Sequence, residues 1–510
     1  CADAGPEATP YAVVVEKNVE AEMRDGVVLR ADVYRPDAEG VYPALLQRTP
    51  YSKNGEGAAE TFRELASNGY LVAVQDTPGP YASEGVAVPH DESKDWHDTV
   101  EWVAGLPYVN GRVGMWGGSY LATTQLAAAA EAPPSLVAIA PSSSYTSRYD
   151  MVYQGGAFYL SDGLGWNLGQ AADVRRRRAG ASFVDRDGPI GSTAEERAAL
   201  RSEWLWRLPL LGFDELDLEE LAPGYRWMLE HPSYDDFWRT YDIGLRHDRF
   251  RVPALHTTGW YLIVGPWTHS RPNPESRSIG DVDYGPAAGL DYRALLLDWY
   301  GHWLKGADTG VMETAPVRLF VMGTNEWRDE EEWPLARAVP TRWYLHSDGA
   351  AGTDPDDGRL DREPPGGAEP PDRYAYDPAD PVPTGLMASS SAPDTDFTGK
   401  LIYAAPDGSA RTLTDGILRA RYRNGFDRPE LLTPGEPTEL RVDLLATSNV
   451  FLPGHRIRVE VSSSNFPRFD RNPNTGAPFA TDAETRVARQ TIHHDATNAS
   501  YVVLPVVPGS

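Results

Sequence analysis

With 510 residues the chain is several times the usual domain size of roughly 100–200 residues, so two to four domains are expected. Hydrophobic residues make up 41% and there are 15 tryptophans, ample for sizeable cores, whereas a net charge of −27 repels phosphate backbones and anionic lipid. A nucleic-acid-binding protein is thereby excluded. Because the acidic residues are spread along the chain, they do not by themselves point to a cationic substrate.

Cys1 is the only cysteine, so no intramolecular disulfide and no cysteine-based metal site can form. It heads a small, polar stretch, CADAGPEATP. Read as a processed lipoprotein end, Cys1 would carry acyl chains and residues 1–10 would tether a protein outside the cytoplasm. The alternative is an arbitrary cut, which leaves a cytoplasmic protein. No apolar run of about 18 residues occurs, so no membrane-spanning helix is expected.

From Val13 to Pro36 apolar residues alternate around Asp25-Gly26, the pattern of an antiparallel hairpin. Apolar runs at Ala44–Gln47, Leu71–Gln75, Val113–Trp116 and Leu136–Ala140 then alternate with helical stretches at Thr61–Ser67, Asp91–Ala104 and Ala122–Ala130. In Asp91–Ala104, Trp96, Val100 and Val103 fall on one helical face. The alternation predicts a parallel, doubly wound sheet beginning in residues 11–145, with its site at the carboxyl ends of the strands.

At that edge stands Arg112–Leu121, RVGMWGGSYL. An apolar strand, two glycines, Ser119 and an alanine-rich helix give the layout of a nucleophile elbow, where a serine sits on a sharp strand-to-helix turn. Glycines suit a tight bend beneath the serine. The usual second glycine is replaced by Leu121, and a Gly-Gly-Ser turn without chemistry fits the motif alone equally well.

Residues 146–246 hold an arginine run, Arg175–Arg178, and helix-like stretches such as Thr193–Leu208, reading as a helical cap inserted over the pocket. The strand pattern resumes in residues 247–338 with Val252–Thr257 and Leu262–Val264. Only Thr258–Tyr261 lie between these runs, although a crossover between parallel strands needs about 10–12 residues. Either the two runs are one strand, or a segment is wanting after Tyr261; the Gly-Trp-Tyr interruption favours the second. After the aromatic helix Asp291–Lys305, residues 339–510 turn to short β runs between Pro/Gly/Asp loops, the pattern of a β-sandwich or jelly roll.

A serine nucleophile needs a base, and histidine is the default at neutral pH. Of 11 histidines, His269 follows LIVGPWT at the carboxyl end of an apolar strand and comes late in the chain, as the order Ser…acid…His requires. A loop histidine stacked on Trp267 is its alternative. Structural or solvent roles suffice for His90, His97, His302, His455, His493 and His494. No carboxylate–histidine ligand pattern is present, so neither metal nor cofactor is expected.

Several segments together resemble a known family. They include EMRDGVVLRADVYRP, PYSK, VAVQDTPGPYASEG, GRVGMWGGSYLATTQ, VGPWTHS, SSSAPDTDFTGKL and SSSNFPRFDRNPNTG, spread nearly end to end. The chain is similar to the bacterial cocaine esterase group within the X-Pro dipeptidyl-peptidase-like hydrolases, which also includes α-amino-acid ester hydrolases. The resemblance implies an α/β-hydrolase core, a helical cap and a carboxy-terminal jelly roll. It implies that Ser119 is the nucleophile and His269 the general base. Tyr51 would lend its phenolic O–H to an oxyanion hole beside the Tyr120 N–H. Phe158, Trp166, Trp260 and Tyr261 would be pocket walls, with core packing as the alternative.

The family continues GWY with the triad Asp and a helix, both absent here, and it has a longer stretch near Thr384–Met387. Pro78 and Pro80 replace arginines that are usual in relatives, and Ala122 replaces a glycine. The expected activity is ester hydrolysis of small molecules through an acyl-enzyme. X-Pro dipeptide release or α-amino-ester cleavage is the alternative, with Asp150 and Asp162 as candidates to hold an α-ammonium. A second alternative is a non-catalytic surface lipoprotein with a binding jelly roll.

Overall fold

A computed structural model of the chain describes residues 10–54, 56–79, 81–85, 93–179, 193–213, 218–257, 262–267, 269, 276–354, 356–379 and 388–508. The first hairpin forms as its alternation predicts: β1 (Val13–Glu22) pairs antiparallel with β2 (Val28–Pro36). Its turn is closed by 2.9 Å bonds from Met23 N–H to Val27 O and from Gly26 N–H to Met23 O, with Gly26 at φ 86°.

Four strands extend it: β3 (Tyr42–Thr49), β4 (Leu71–Asp76), β5 (Val109–Gly118) and β6 (Leu136–Ser142). With His256–Thr257, Leu262–Val264, Val317–Val321 and Glu326–Glu330 they make a ten-stranded sheet of order β1-β2-β4-β3-β5-β6, followed by these four in chain order. The pairings from β4 through Val317–Val321 are parallel; β1, β2 and Glu326–Glu330 add antiparallel edges. The parallel set and the antiparallel first hairpin are as patterning predicts, and the sheet as a whole is mixed. An edge hairpin needs only a short turn, whereas each parallel step needs a crossover.

Helices cover both faces. On one, Trp96, Val100 and Val103 of α2 (Ser93–Ala104) and Leu126–Ala130 of α3 (Tyr120–Glu131) pack with Leu46, Ala73, Met115 and Ile139. On the other, Phe62 and Leu65 of α1 (Glu56–Ser67) and Leu296, Trp299 and Tyr300 of Tyr292–Lys305 pack with Leu45, Val72 and Trp116. Residues Leu121–Ala130 of α3 are all buried, so the helix lacks a polar stripe, and its buried polar residues are Thr123, Thr124 and Gln125.

His256–Thr257 and Leu262–Val264 are two strands, not one: Leu262 pairs in parallel with His256, and Ile263 with Thr257. The single-strand reading is overturned. The crossover such a pair needs has only residues 258–261 to supply it.

The chain divides into two compact units. The first takes residues 1–147, 174–188 and 241–333; the second takes 148–173, 189–240 and 334–510. Much of the helical insertion, residues 148–173 and 189–240, clusters with the carboxy-terminal β region. Within the second unit the reason is visible. Arg419 N–H donates to Gly155 O at 2.8 Å, Phe158 N–H to Asp470 Oδ1 at 2.8 Å and Tyr234 N–H to Phe426 O at 2.9 Å. A side chain at Gly155 would meet Ile417 O at 1.8 Å, so only glycine allows this approach.

Among the described residues, the β region holds three antiparallel three-stranded sheets, centred on Val339–His346, Ala488–Ile492 and Asp396–Ala404. Thr438–Leu444, which reads as a strand, makes one β-bridge among the described residues, Thr438 to Ala388. Its later residues cross a sheet face: Asp443 O lies 1.8 Å from where a Gly416 Cβ would stand.

Candidate active site

β5 delivers Ser119 to the carboxyl edge of the sheet, and α3 starts at the next residue. The backbone of Ser119 has φ 61° and ψ −126°, a conformation non-glycine residues rarely hold and one that costs about 1–3 kcal/mol. Its N–H donates to Ser142 O of β6 at 2.9 Å, and its own carbonyl accepts from Ala122 and Thr123 N–H at 2.9 and 3.1 Å. The turn is thus fixed from the neighbouring strand and from the helix it begins. Gly117, at φ 141°, is needed because a Cβ there would stand 2.6 Å from Leu121 Cβ. Leu121 in place of the usual second glycine is accommodated by Gly117, two residues before the serine.

Tyr51 stands in the loop after β3, its N–H bonded to Thr49 Oγ1 at 3.0 Å. Its ring meets that of Tyr120 edge-on, with centroids 6.5 Å apart. Tyr120 is the first residue of α3, where backbone N–H groups point out of the helix end and favour negative charge. The Tyr51 ring thus lies against the first residue of the helix that follows Ser119.

Sequence reasoning passed over what holds this loop. Lys53, two residues after Tyr51, has a fully buried side chain; its Nζ lies 3.1 Å from Asp76 Oδ2 and 4.0 Å from Asp32 Oδ1. Its N–H also donates to Asp76 Oδ1 at 2.8 Å. Burial pushes the Asp76 carboxyl up, against the pull of Lys53. Lys17 reaches Asp32 from the solvent side. The signal available in sequence was a charge at the end of each apolar run, the Lys of PYSK and the Asp of VAVQD.

His269 follows Leu262–Val264, which lies two strands beyond β6 in the same parallel set, so it falls on the same edge as Ser119. Gly265-Pro266-Trp267 lead to it, and Trp267 is fixed by its Nε1–H to Ala288 O at 2.8 Å and by packing on Trp327. His269 is exposed, and among the described residues it makes no hydrogen bond with Ser119 and no ion pair with a carboxylate. Catalytic hydrogen bonds are often unmade without substrate. The stacking on Trp267 is not seen either.

Ser119, Tyr51, Tyr120 and His269 all belong to the first unit; Phe158 and Trp166 belong to the second. Phe158 is fully buried among Tyr153, Tyr225 and Phe479, so it packs a core and is no pocket wall. Trp166 is half-buried in the helix Leu160–Arg178. Cys1, Trp260, Tyr261 and His90 lie outside the described residues, as does Thr384–Met387. The two histidines 493 and 494 diverge: His493 Nε2 is 3.1 Å from Ser389 Oγ, and His494 Nε2 is 3.0 Å from Ser347 Oγ.

A serine on a strained elbow at the carboxyl edge of a mixed sheet, between a strand and the helix it begins, is the layout of a serine hydrolase of the α/β-hydrolase class. Residues 25–269 match the X-Pro dipeptidyl-peptidase (S15 family) pattern, and residues 309–385 and 382–503 match that of the X-Pro dipeptidyl-peptidase C-terminal non-catalytic domain. The chain belongs to this family. It is 37% identical to a cocaine esterase of Rhodococcus sp. (strain MB1 Bresler), over 97% of this chain and 98% of that one. That alignment spans 583 positions, more than the chain contains, so the relative has residues within the matched span that have no counterpart here. Two solved structures share the fold at a TM-score of 0.79, each matched over 99% of this chain and 98% of its own. They are an aminopeptidase of a marine sediment Thaumarchaeota archaeon (23% identical) and an α-amino acid ester hydrolase (24%).

Proposed function

We propose that the protein hydrolyses carboxylic esters of small molecules through an acyl-enzyme on Ser119. The observation that carries this reading is the strained Ser119 elbow, with the Tyr51 ring against Tyr120 at the start of the helix that follows. Ser119 Oγ attacks the ester carbonyl carbon as its proton passes to His269. The tetrahedral oxyanion is held by Tyr51 O–H and Tyr120 N–H. Collapse expels the alkoxide, which leaves as an alcohol with the proton from His269. Water then adds to the acyl-enzyme by the same route, its proton going to His269 and from there to Ser119, and the acid departs.

Esters are favoured over X-Pro peptides because the relative matched over nearly its whole length at 37% identity is an esterase. The family pattern itself keeps X-Pro dipeptide release as a second reading. That activity needs carboxylates for the α-ammonium, and Asp150 and Asp162 are exposed residues of the second unit. Comparing p-nitrophenyl butyrate with Gly-Pro-p-nitroanilide tests the choice. A kcat/KM at least tenfold higher on the ester supports the esterase, and preference for the anilide overturns it.

A further inference from the structure

Gln125 lies fully buried in α3, six residues after Ser119. A buried amide is costly unless its groups are bonded, and these are. Nε2 donates to Gly117 O at 3.1 Å and to Leu121 O at 2.9 Å, and Oε1 accepts from Ala140 N–H of β6 at 3.0 Å. Gly117 is two residues before Ser119 and Leu121 two after it. One side chain therefore grips the backbone on both sides of the serine and ties it to the neighbouring strand.

The tie falls where the main chain is least self-sufficient. Ser119 is held at φ 61°, and such a conformation persists only where its surroundings over-determine it. Ser142 O supports it from β6 through Ser119 N–H, and Ala140, two residues earlier on that strand, is the one bonded to Gln125. Trp116 pairs with Ala140 and Gly117 with Pro141 in the β5–β6 ladder, so the amide adds a second set of bonds to a junction that the ladder alone would otherwise hold. Without those bonds the turn would relax toward ordinary backbone angles, carrying Oγ away from the helix-start N–H.

We propose that Gln125 is a positioning residue for Ser119, its amide bracketing the elbow so that Oγ and the Tyr120 N–H act on the same carbonyl group. The proposal rests on Ser119 being the nucleophile. A displacement of about 1 Å at a reacting atom costs about 10²-fold in rate, which sets the expected effect.

Gln125→Met keeps length and volume and removes all three bonds. Its kcat on p-nitrophenyl butyrate should fall about 10²-fold with KM within about threefold, and phosphonylation of Ser119 by a fluorophosphonate should slow by the same factor. A purely structural role would lower the melting temperature and leave kcat of the folded protein unchanged. A folded Gln125→Met with kcat and labelling within about threefold of the unsubstituted protein overturns the proposal. Should that variant not fold, Gln125→Glu decides. Its carboxylate cannot donate to the two carbonyls, whereas its protonated form donates one bond, so its kcat should recover toward acid relative to the parent. An unchanged pH profile overturns the proposal. Failure of the unsubstituted protein to label sinks the nucleophile assignment itself, an outcome distinct from equal labelling of parent and variant.

Discussion

Tyr51 carries the least redundant chemistry of the site, since the other proposed donor is a backbone N–H that substitution cannot remove. Tyr51→Phe removes the phenolic O–H and leaves the ring against Tyr120. Loss of one oxyanion donor costs about 10²–10³ in kcat, so kcat should fall by that factor on p-nitrophenyl esters while KM stays close to its starting value. Lys53 acts on the same loop through stability. Its ammonium is fully buried against Asp76, and removing one partner of such a pair costs about 3–5 kcal/mol. Lys53→Met should lower the denaturation midpoint accordingly, and a midpoint unchanged from the parent would remove the pair as the anchor. The Ser119 turn was legible in sequence because the elbow is a local motif, whereas Tyr51 was pointed to only by the family resemblance and reads by itself as a loop tyrosine. Asp32 and Asp76 were not legible, since the hairpin and β4 bring them to Lys53 only in the fold. Phe158 stayed open between pocket wall and core for a related reason: an aromatic in a cap segment reads alike whether it faces a pocket or the Tyr153–Phe479 core.

Among elements, the most informative are the two short parallel strands around Tyr261. Spacing alone exposed the conflict, because a parallel step cannot be made in four residues, and the pairing of Leu262 with His256 sharpens it. A chain carrying a crossover there would also have room for the carboxylate that orients His269. Peptide mapping of the natural protein should therefore find no fragment joining Tyr261 directly to Leu262. Finding that junction would mean a hydrolase without its triad acid at this place, with kcat lower by about 10⁴. The helices were readable where their faces are regular, as in the Trp96, Val100, Val103 stripe of α2. Thr438–Leu444 was misread because alternation records which residues are buried, and a segment crossing a sheet face buries them as an edge strand does.

For the whole molecule, the two units carry histidines of opposite pH sense. In the first, burial lowers His256 to about 4. The unfolded chain takes up its proton near pH 6.5, the folded one only near 4, so stability should decline as pH falls through that window. In the second, burial works against the His494 imidazolium, but Asp372 and Glu369, each 3.3 Å away, outweigh it and raise the pKa. Its contribution is complete below about pH 6.5 and is lost as pH rises through the raised value. Denaturation midpoints across pH should slope on both sides of neutrality, with His256→Gln flattening the acid limb and His494→Gln the alkaline one. A slope unchanged by either substitution would contradict the assignment. The division into units was only half visible in sequence, because the contacts that join the insertion to the β region, such as Phe158 N–H to Asp470, span more than 300 positions.

The account stands or falls on Ser119 as a nucleophile. A fluorophosphonate probe applied to the intact protein should add one phosphonyl group, located by peptide mapping on Ser119, with ester hydrolysis lost in step and no labelling in Ser119→Ala. A folded protein that turns over esters while Ser119 remains unmodified would contradict it.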